Sequence, residues 1–271
     1  MAIDLRRRGF ADEVIGMDAD SVNAEAALKI GLVSRMANFD TLVAESDLIV
    51  LAVPVNAAVR LLPMVLDKFH EIGESCRKIV IDVCSVKTQM AEVARYHSMR
   101  RRYVGTHPMA GTEYSGPWAA MSGMFDSTAA IICDSQESDI QAVKTVEKLY
   151  DTLNMRVLHM NSDSHDIHCA YVSHLSHVTS FSLARTVLDK EKSEKHIFDL
   201  ASGGFSSTAR LAKSNADMWV PIFQQQAENL VPIIDEYIKK VQEFRDAIAD
   251  YDEAKIRDMI VESNKIRRII K

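Results

Sequence analysis

The chain has 271 residues, 47% of them apolar and 26% charged, which is enough to bury a core and argues against disorder. Its net charge of -6 argues against nonspecific nucleic-acid binding, so an anionic ligand would need a local cationic pocket. No run reaches the ~18 apolar residues of a membrane span, and the charged start Met1-Ala2-Ile3-Asp4-Leu5-Arg6 does not read as a signal peptide. The cysteines Cys76, Cys84, Cys133 and Cys169 form no CxxC pair, which points to reduced thiols in the cytoplasm.

Residues 13–18 read as a strand, and Ser21 as the cap of a helix that stops near Gly31. The apolar run 48–53 ends at Pro54, as a strand buried on both faces does, and a helix follows over 56–72. Residues 78–83 form the next buried strand, then come a helix over 87–96 and a short strand before His107. Strands near 129–133 and 156–159 flank a helix that starts near Asp139. This alternation predicts an α/β fold with a doubly wound, Rossmann-like domain over residues 1–160. Beyond it no strand signal survives. Helical patterns at 163–189, 194–201, 216–247 and 252–270 predict an all-α domain over 161–271, whose long apolar faces point to a homodimer.

The densest chemistry lies in His107-Pro108-Met109-Ala110-Gly111-Thr112-Glu113, at a strand end. An imidazole there can take a proton from a hydroxyl near neutral pH. Asp18 stands where a dinucleotide-binding unit places a carboxylate on the adenosine ribose, which favours NAD over NADP. The G-x-G-x-x-G fingerprint of such a unit occurs nowhere in the chain, and residues 2–9 read as the helix that would follow it.

In order, Val14-Ile15-Gly16-Met17-Asp18, Ser46 to Pro54, Asp82-Val83-Cys84-Ser85-Val86-Lys87, and His107 to Gly116 closely resemble the prephenate and arogenate dehydrogenases of tyrosine biosynthesis. Ser173-His174-Leu175-Ser176-His177, Gly203-Gly204-Phe205, Arg210 to Ser214 and Met218-Trp219 continue the match through the helical half. The resemblance implies NAD-dependent oxidative decarboxylation of prephenate to 4-hydroxyphenylpyruvate. It makes His107 the acceptor of the hydroxyl proton, with Ser85 hydrogen-bonded to that hydroxyl and to the His; Ser85 also reads as a helix N-cap. Arg210 binds substrate carboxylate, a task suited to a guanidinium fork. His177 and His174 line the substrate pocket, Thr112 and Glu113 shape its mouth, and Asp18, Val53, Pro54 and Ser85 meet the cofactor.

Family members read G-x-G-L-I-G-G-S, then an apolar residue and Ala, so the resemblance implies that Met1 is an internal methionine of a longer natural chain. No appended regulatory or mutase domain is expected. Two departures stand out: Ser207 replaces an Asp three residues before the Arg, and Ser176 replaces a Pro, which removes an expected kink in the first long helix. At about 100° per residue, His165 and His174 fall on opposite helix faces, and no H-E-x-x-H occurs, so no metal site is expected. His165 and His168 read as solvated or interface residues. Two other readings remain: an arogenate dehydrogenase, and a non-catalytic dimer that binds substrate-like anions but no dinucleotide. A different hydroxy-acid or imine oxidoreductase of similar architecture lacks support from the His107 motif.

Overall fold

The computed structural model describes residues 1–112, 114–194 and 196–269. Its first part runs α1 (Ala2–Arg7), β1 (Ile15–Gly16), α2 (Ser21–Lys29), β2 (Arg35–Met36), α3 (Phe39–Glu45), β3 (Leu48–Leu51), α4 (Val55–Ile72), β4 (Ile79–Asp82), α5 (Thr88–Ala94), β5 (Tyr103–Pro108), β6 (Ala129–Cys133), α6 (Ile140–Thr152) and β7 (Arg156–Met160). Asp20, not Ser21, caps α2, its carboxylate accepting the Val22 N–H at 2.8 Å. The strand expected over 13–18 shrinks to two residues. It pairs only with the short β2, in parallel, through Ile15↔Arg35 and Gly16↔Met36.

The main sheet has the order β3-β4-β5-β6-β7. Strands β3, β4 and β5 are parallel, β6 runs antiparallel to β5, and β7 lies parallel to β6. The parallel part follows from helical crossovers. The reversal at β6 follows from the return through 109–128, whose described residues hold no α-helix and one 3-10 turn at Pro117–Ala119. Among the described residues, β3 has no strand on its other edge, and β1–β2 stands as a separate sheet.

Both faces of the sheet are covered. Helix α4 buries Val55, Ala58, Leu62, Val65, Leu66 and Phe69, a helical stripe, against Val80, Tyr103 and Met90 of α5. On the other face α6 buries Val143, Val146, Leu149 and Tyr150 against Ile81, Val104 and Ile132, joined by Leu5 of α1.

Helices α7 (Ser162–Cys169), α8 (Leu175–Glu191), α9 (Gly203–Ala209), α10 (Ala216–Gln225), α11 (Ala227–Ala249) and α12 (Glu253–Ser263) complete the fold. The helix expected over 194–201 is a 3-10 turn at Phe198–Leu200, and α9 follows where none was expected. The long helix expected over 216–247 divides at Gln226, because its two halves serve two cores. Trp219 and Ile222 of α10 enter the core above the sheet, while Leu230 and Ile233 of α11 pack on Ala170. The last helix stops at Ser263 and continues as a 3-10 turn. Between α7 and α8, Ala170–His174 form a π turn. This irregularity stands just before Ser176, where the missing Pro led to the expectation of an unkinked helix. Among the described residues no helix is long and apolar enough to cross a membrane.

Candidate active site

The parallel strands deliver the chemistry at their carboxyl ends, where open α/β sheets bind ligands. Pro54 follows β3 and caps α4, and Val53 beside it is exposed. Ser85 is half-buried in the bend between β4 and α5. His107 lies near the end of β5, paired with Ile131 of β6. Asp18, just after β1, is exposed and its carboxylate accepts the Asp20 N–H at 2.9 Å. Thr112 lies in the loop after β5, where its hydroxyl accepts the Tyr114 N–H at 3.3 Å. Glu113 lies outside the described residues.

The bend that carries Ser85 is pinned at both ends. Asp82 is fully buried and bonds to the Lys87 ammonium, the Cys84 N–H (2.9 Å) and the Tyr103 hydroxyl (2.7 Å). Lys87 is buried too. Burial alone would lower its pKa, but Asp82 more than offsets this and holds it charged. Ser85 does not cap α5, as its position suggested. The Asp166 carboxylate does so from α7, accepting the Lys87 N–H at 2.8 Å and the Thr88 N–H at 2.9 Å. Burial pushes Asp166 up, but hydrogen bonds from His165 and Thr88 outweigh it and keep the acid ionised.

His165 is 1% exposed, not solvated, and Nε2 of its ring lies 2.8 Å from Nδ1 of His107. The rings meet edge to face, with centroids 5.1 Å apart. Burial, and then the neighbouring His165, Lys87 and His174, hold the His107 pKa well below the usual value for histidine. His168 is exposed, as expected. The π turn explains the misplaced faces. One inserted residue shifts the helix phase by about 100°, so His165 and His174 both turn inward. His107, His165 and Cys169 bring three possible metal-ligand atoms within 4.8 Å of one another, a cluster that sequence spacing could not show.

A second group forms on the helical side. His177 stacks on Trp219 with centroids 3.5 Å apart, and its Nδ1–H donates to the Ser173 carbonyl at 3.0 Å. Burial lowers the His177 pKa, and nearby Arg210 lowers it further, which brings this imidazole and the guanidinium into one electrostatic neighbourhood. Arg210 itself is exposed at the start of the 3-10 turn after α9. His174 is fully buried, edge-on to Trp219, with neither ring nitrogen hydrogen-bonded, and burial pushes its pKa down to about 4. It influences both groups, since His107 and His177 each interact with it. Asp18 joins neither. Beyond β5, the Pro117–Ala119 turn packs against α2, and Ser115 receives a hydrogen bond from Asn215 at the cap of α10.

A sheet with strand-end imidazole and hydroxyl groups, closed by a helical half that adds a guanidinium, defines a dehydrogenase-like α/β protein. Family models described as "Prephenate dehydrogenase, nucleotide-binding domain" and "Prephenate dehydrogenase, dimerization domain" match residues 1–159 and 161–262, and the chain belongs to the prephenate dehydrogenase family. The prephenate dehydrogenase of Bacillus subtilis is 27% identical over 93% of this chain and 67% of its own length. The cyclohexadienyl dehydrogenase of Zymomonas mobilis is 29% identical over 84% and 77%. The crystal structure of the prephenate dehydrogenase of A. aeolicus, in complex with hydroxyphenyl propionate and NAD+, aligns over 100% of this chain and 93% of its own, with TM-score 0.85 and 26% identity. Trp219 is the member of the site that motif reading quoted but gave no role. Its signal was position: three residues before the buried Ile222, it lies on the same face of α10.

Proposed function

We propose that this protein oxidises prephenate with NAD, releasing carbon dioxide and 4-hydroxyphenylpyruvate. The observation that carries the reading is His107, held neutral at a strand end with Nδ1 engaged by His165, so that Nε2 is the nitrogen left for a substrate. The residues present fit the two ends of a dinucleotide. The exposed Asp18 carboxylate suits ribose hydroxyls, and Val53, Pro54 and Ser85 form a row of strand ends where a nicotinamide would lie. No glycine-rich phosphate turn occurs among the described residues. When bound, the nicotinamide accepts hydride.

The chain's own residues have three tasks. His107 Nε2 removes the proton of the C4 hydroxyl as hydride leaves C4, and Ser85 holds that hydroxyl. The ring carboxylate then leaves as carbon dioxide, and its bonding electrons complete the aromatic ring. Arg210 binds carboxylate, and His177, its plane fixed by Trp219, lines the pocket. Thr112 shapes the mouth, and His174 backs the pocket.

Arogenate is the second substrate reading. It is supported by the likeness to a cyclohexadienyl dehydrogenase and by the absence of any residue in this set that tells a side-chain keto group from an amino group. Steady-state rates on both substrates decide between them, a kcat/KM ratio above tenfold naming the preferred one. The non-catalytic dimer reading predicts binding of hydroxyphenylpyruvate without NAD binding, which titration checks. The two halves divide near residue 160, the helical half carries a homodimer interface, and four free, buried thiols support a reducing, cytoplasmic setting.

A further inference from the structure

We propose that Asp166 and His165 form a positioning relay that fixes the tautomer and orientation of His107. The inference rests on the proposed role of His107 as base. An ionised carboxylate only accepts hydrogen bonds, so the 2.8 Å contact between Asp166 Oδ1 and His165 Nδ1 puts a proton on that nitrogen. An imidazole protonated at Nδ1 alone carries its lone pair on Nε2. In His165 that nitrogen faces His107 Nδ1 at 2.8 Å, so His107 must donate there and keep its own lone pair on Nε2. The reverse order would need a proton on His165 Nε2. It would leave His107 with its Nε2 protonated and unable to take the substrate proton.

The relay is rigid at its far end. Asp166 is 3% exposed and is tied to the Lys87 and Thr88 backbone N–H groups, the same turn that presents Ser85. One carboxylate therefore sets the positions of both strand-end groups, Ser85 through the α5 cap and His107 through His165. His165 is fully enclosed, so no water competes for its nitrogens.

The other groups facing His107 do not replace this order. Lys87 is neutralised by Asp82, and His174 has no hydrogen-bond partner of its own. Cys169 Sγ lies 3.4 Å from His165 Nε2 and 3.9 Å from His107 Nδ1, but burial pushes its thiol up to about 12, so it is uncharged. On β6, the Cys133 thiol is likewise raised by burial. The His107, His165 and Cys169 atoms could also hold a metal ion. The 2.8 Å nitrogen separation is that of a hydrogen bond.

The test uses His165→Leu, His165→Gln and His107→Asn in the full chain, with hydroxyphenyl propionate binding as the check that each variant keeps its pocket. His165→Leu is expected to lower kcat roughly 10²-fold with KM little changed, because only the base is misplaced. His165→Gln keeps an acceptor for His107 Nδ1–H and is expected to recover part of that loss. Nitrogen-15 NMR of labelled histidine in the resting protein is expected to find His107 protonated at Nδ1. Protonation at Nε2, a His165→Leu variant with native kcat, or a co-purifying divalent metal whose chelation abolishes activity would overturn the relay. Loss of the relay is separable from loss of the reading beneath it. If neither the unsubstituted chain nor one extended upstream by a strand and glycine-rich turn oxidises prephenate or arogenate, the base assignment fails, whereas the NMR tautomer still reports on the relay alone.

Discussion

His107 has to be neutral to accept a proton, and its surroundings favour that state. Burial comes first and the neighbouring His165, Lys87 and His174 follow, all lowering its pKa. The acid limb of kcat/KM is therefore expected below the ordinary histidine value of ~6.5. A limb above that value would contradict the assignment. The same sign governs stability. His107, His174 and His177 all have folded pKa values below their unfolded ones, so the unfolded chain binds more protons as the pH falls. Their contribution is present above pH ~6.5 and is lost towards the His174 value of about 4. Thermal melts across that window should show Tm falling with pH. Replacing His107 with Asn should cost roughly 10²–10⁴ in kcat while leaving hydroxyphenyl propionate binding intact, as steady-state kinetics and titration would show. At this scale the sequence pointed to a residue where a motif carried it. His107, Ser85, Arg210 and His177 stand in runs whose order is informative. His165 and Asp166 do not, because their meaning lies in a contact across 58 residues to His107 and across 79 to Lys87.

The β4–α5 turn is the element on which the site depends most. Asp82 and Lys87 are both almost completely enclosed, and their pairing folds the intervening Ser85 bend into one shape. Lys87→Met leaves a buried carboxylate without its counter-ion. It should destabilise the fold by about 3–5 kcal/mol, read as a lower denaturation midpoint at unchanged m-value. A midpoint equal to that of the unsubstituted protein would show that Tyr103 and the Cys84 N–H satisfy Asp82 unaided. On the helical side, α11 exposes Val231, Ile238, Val241 and Ile248, a spacing of seven, three and seven that sets one stripe along the helix. This stripe is the observation behind the dimer proposal. Ile238→Glu with Val241→Glu should convert a species of twice 30.3 kDa to monomer in light scattering. A monomer before substitution would end the proposal. Element types were legible from periodicity, as in α4 and α6, but the π turn at 170–174 was not. Hydrophobic spacing carries no mark for one inserted residue, and that insertion turned His174 to the side of His165.

At the scale of the whole molecule, the sheet and the helical half meet where Trp219, on which His177 stacks, and Ile222 join the core above the sheet. The alternation up to residue 160 predicted this sheet because parallel strands need helical crossovers. The reversed β6 escaped prediction because a strand's direction leaves no trace in its own apolar pattern. The separation of β1–β2 from β3 is the feature with the largest functional consequence. A parallel strand on the outer edge of β3, ending in a glycine-rich turn, would supply the one part of a dinucleotide site not found among the described residues. NADH formation from prephenate, measured on this chain and on a version carrying such a strand upstream, tests the central claim most directly. The account predicts turnover in the extended chain, abolished by His107→Asn. No NADH from either chain, with prephenate or with arogenate, would contradict it.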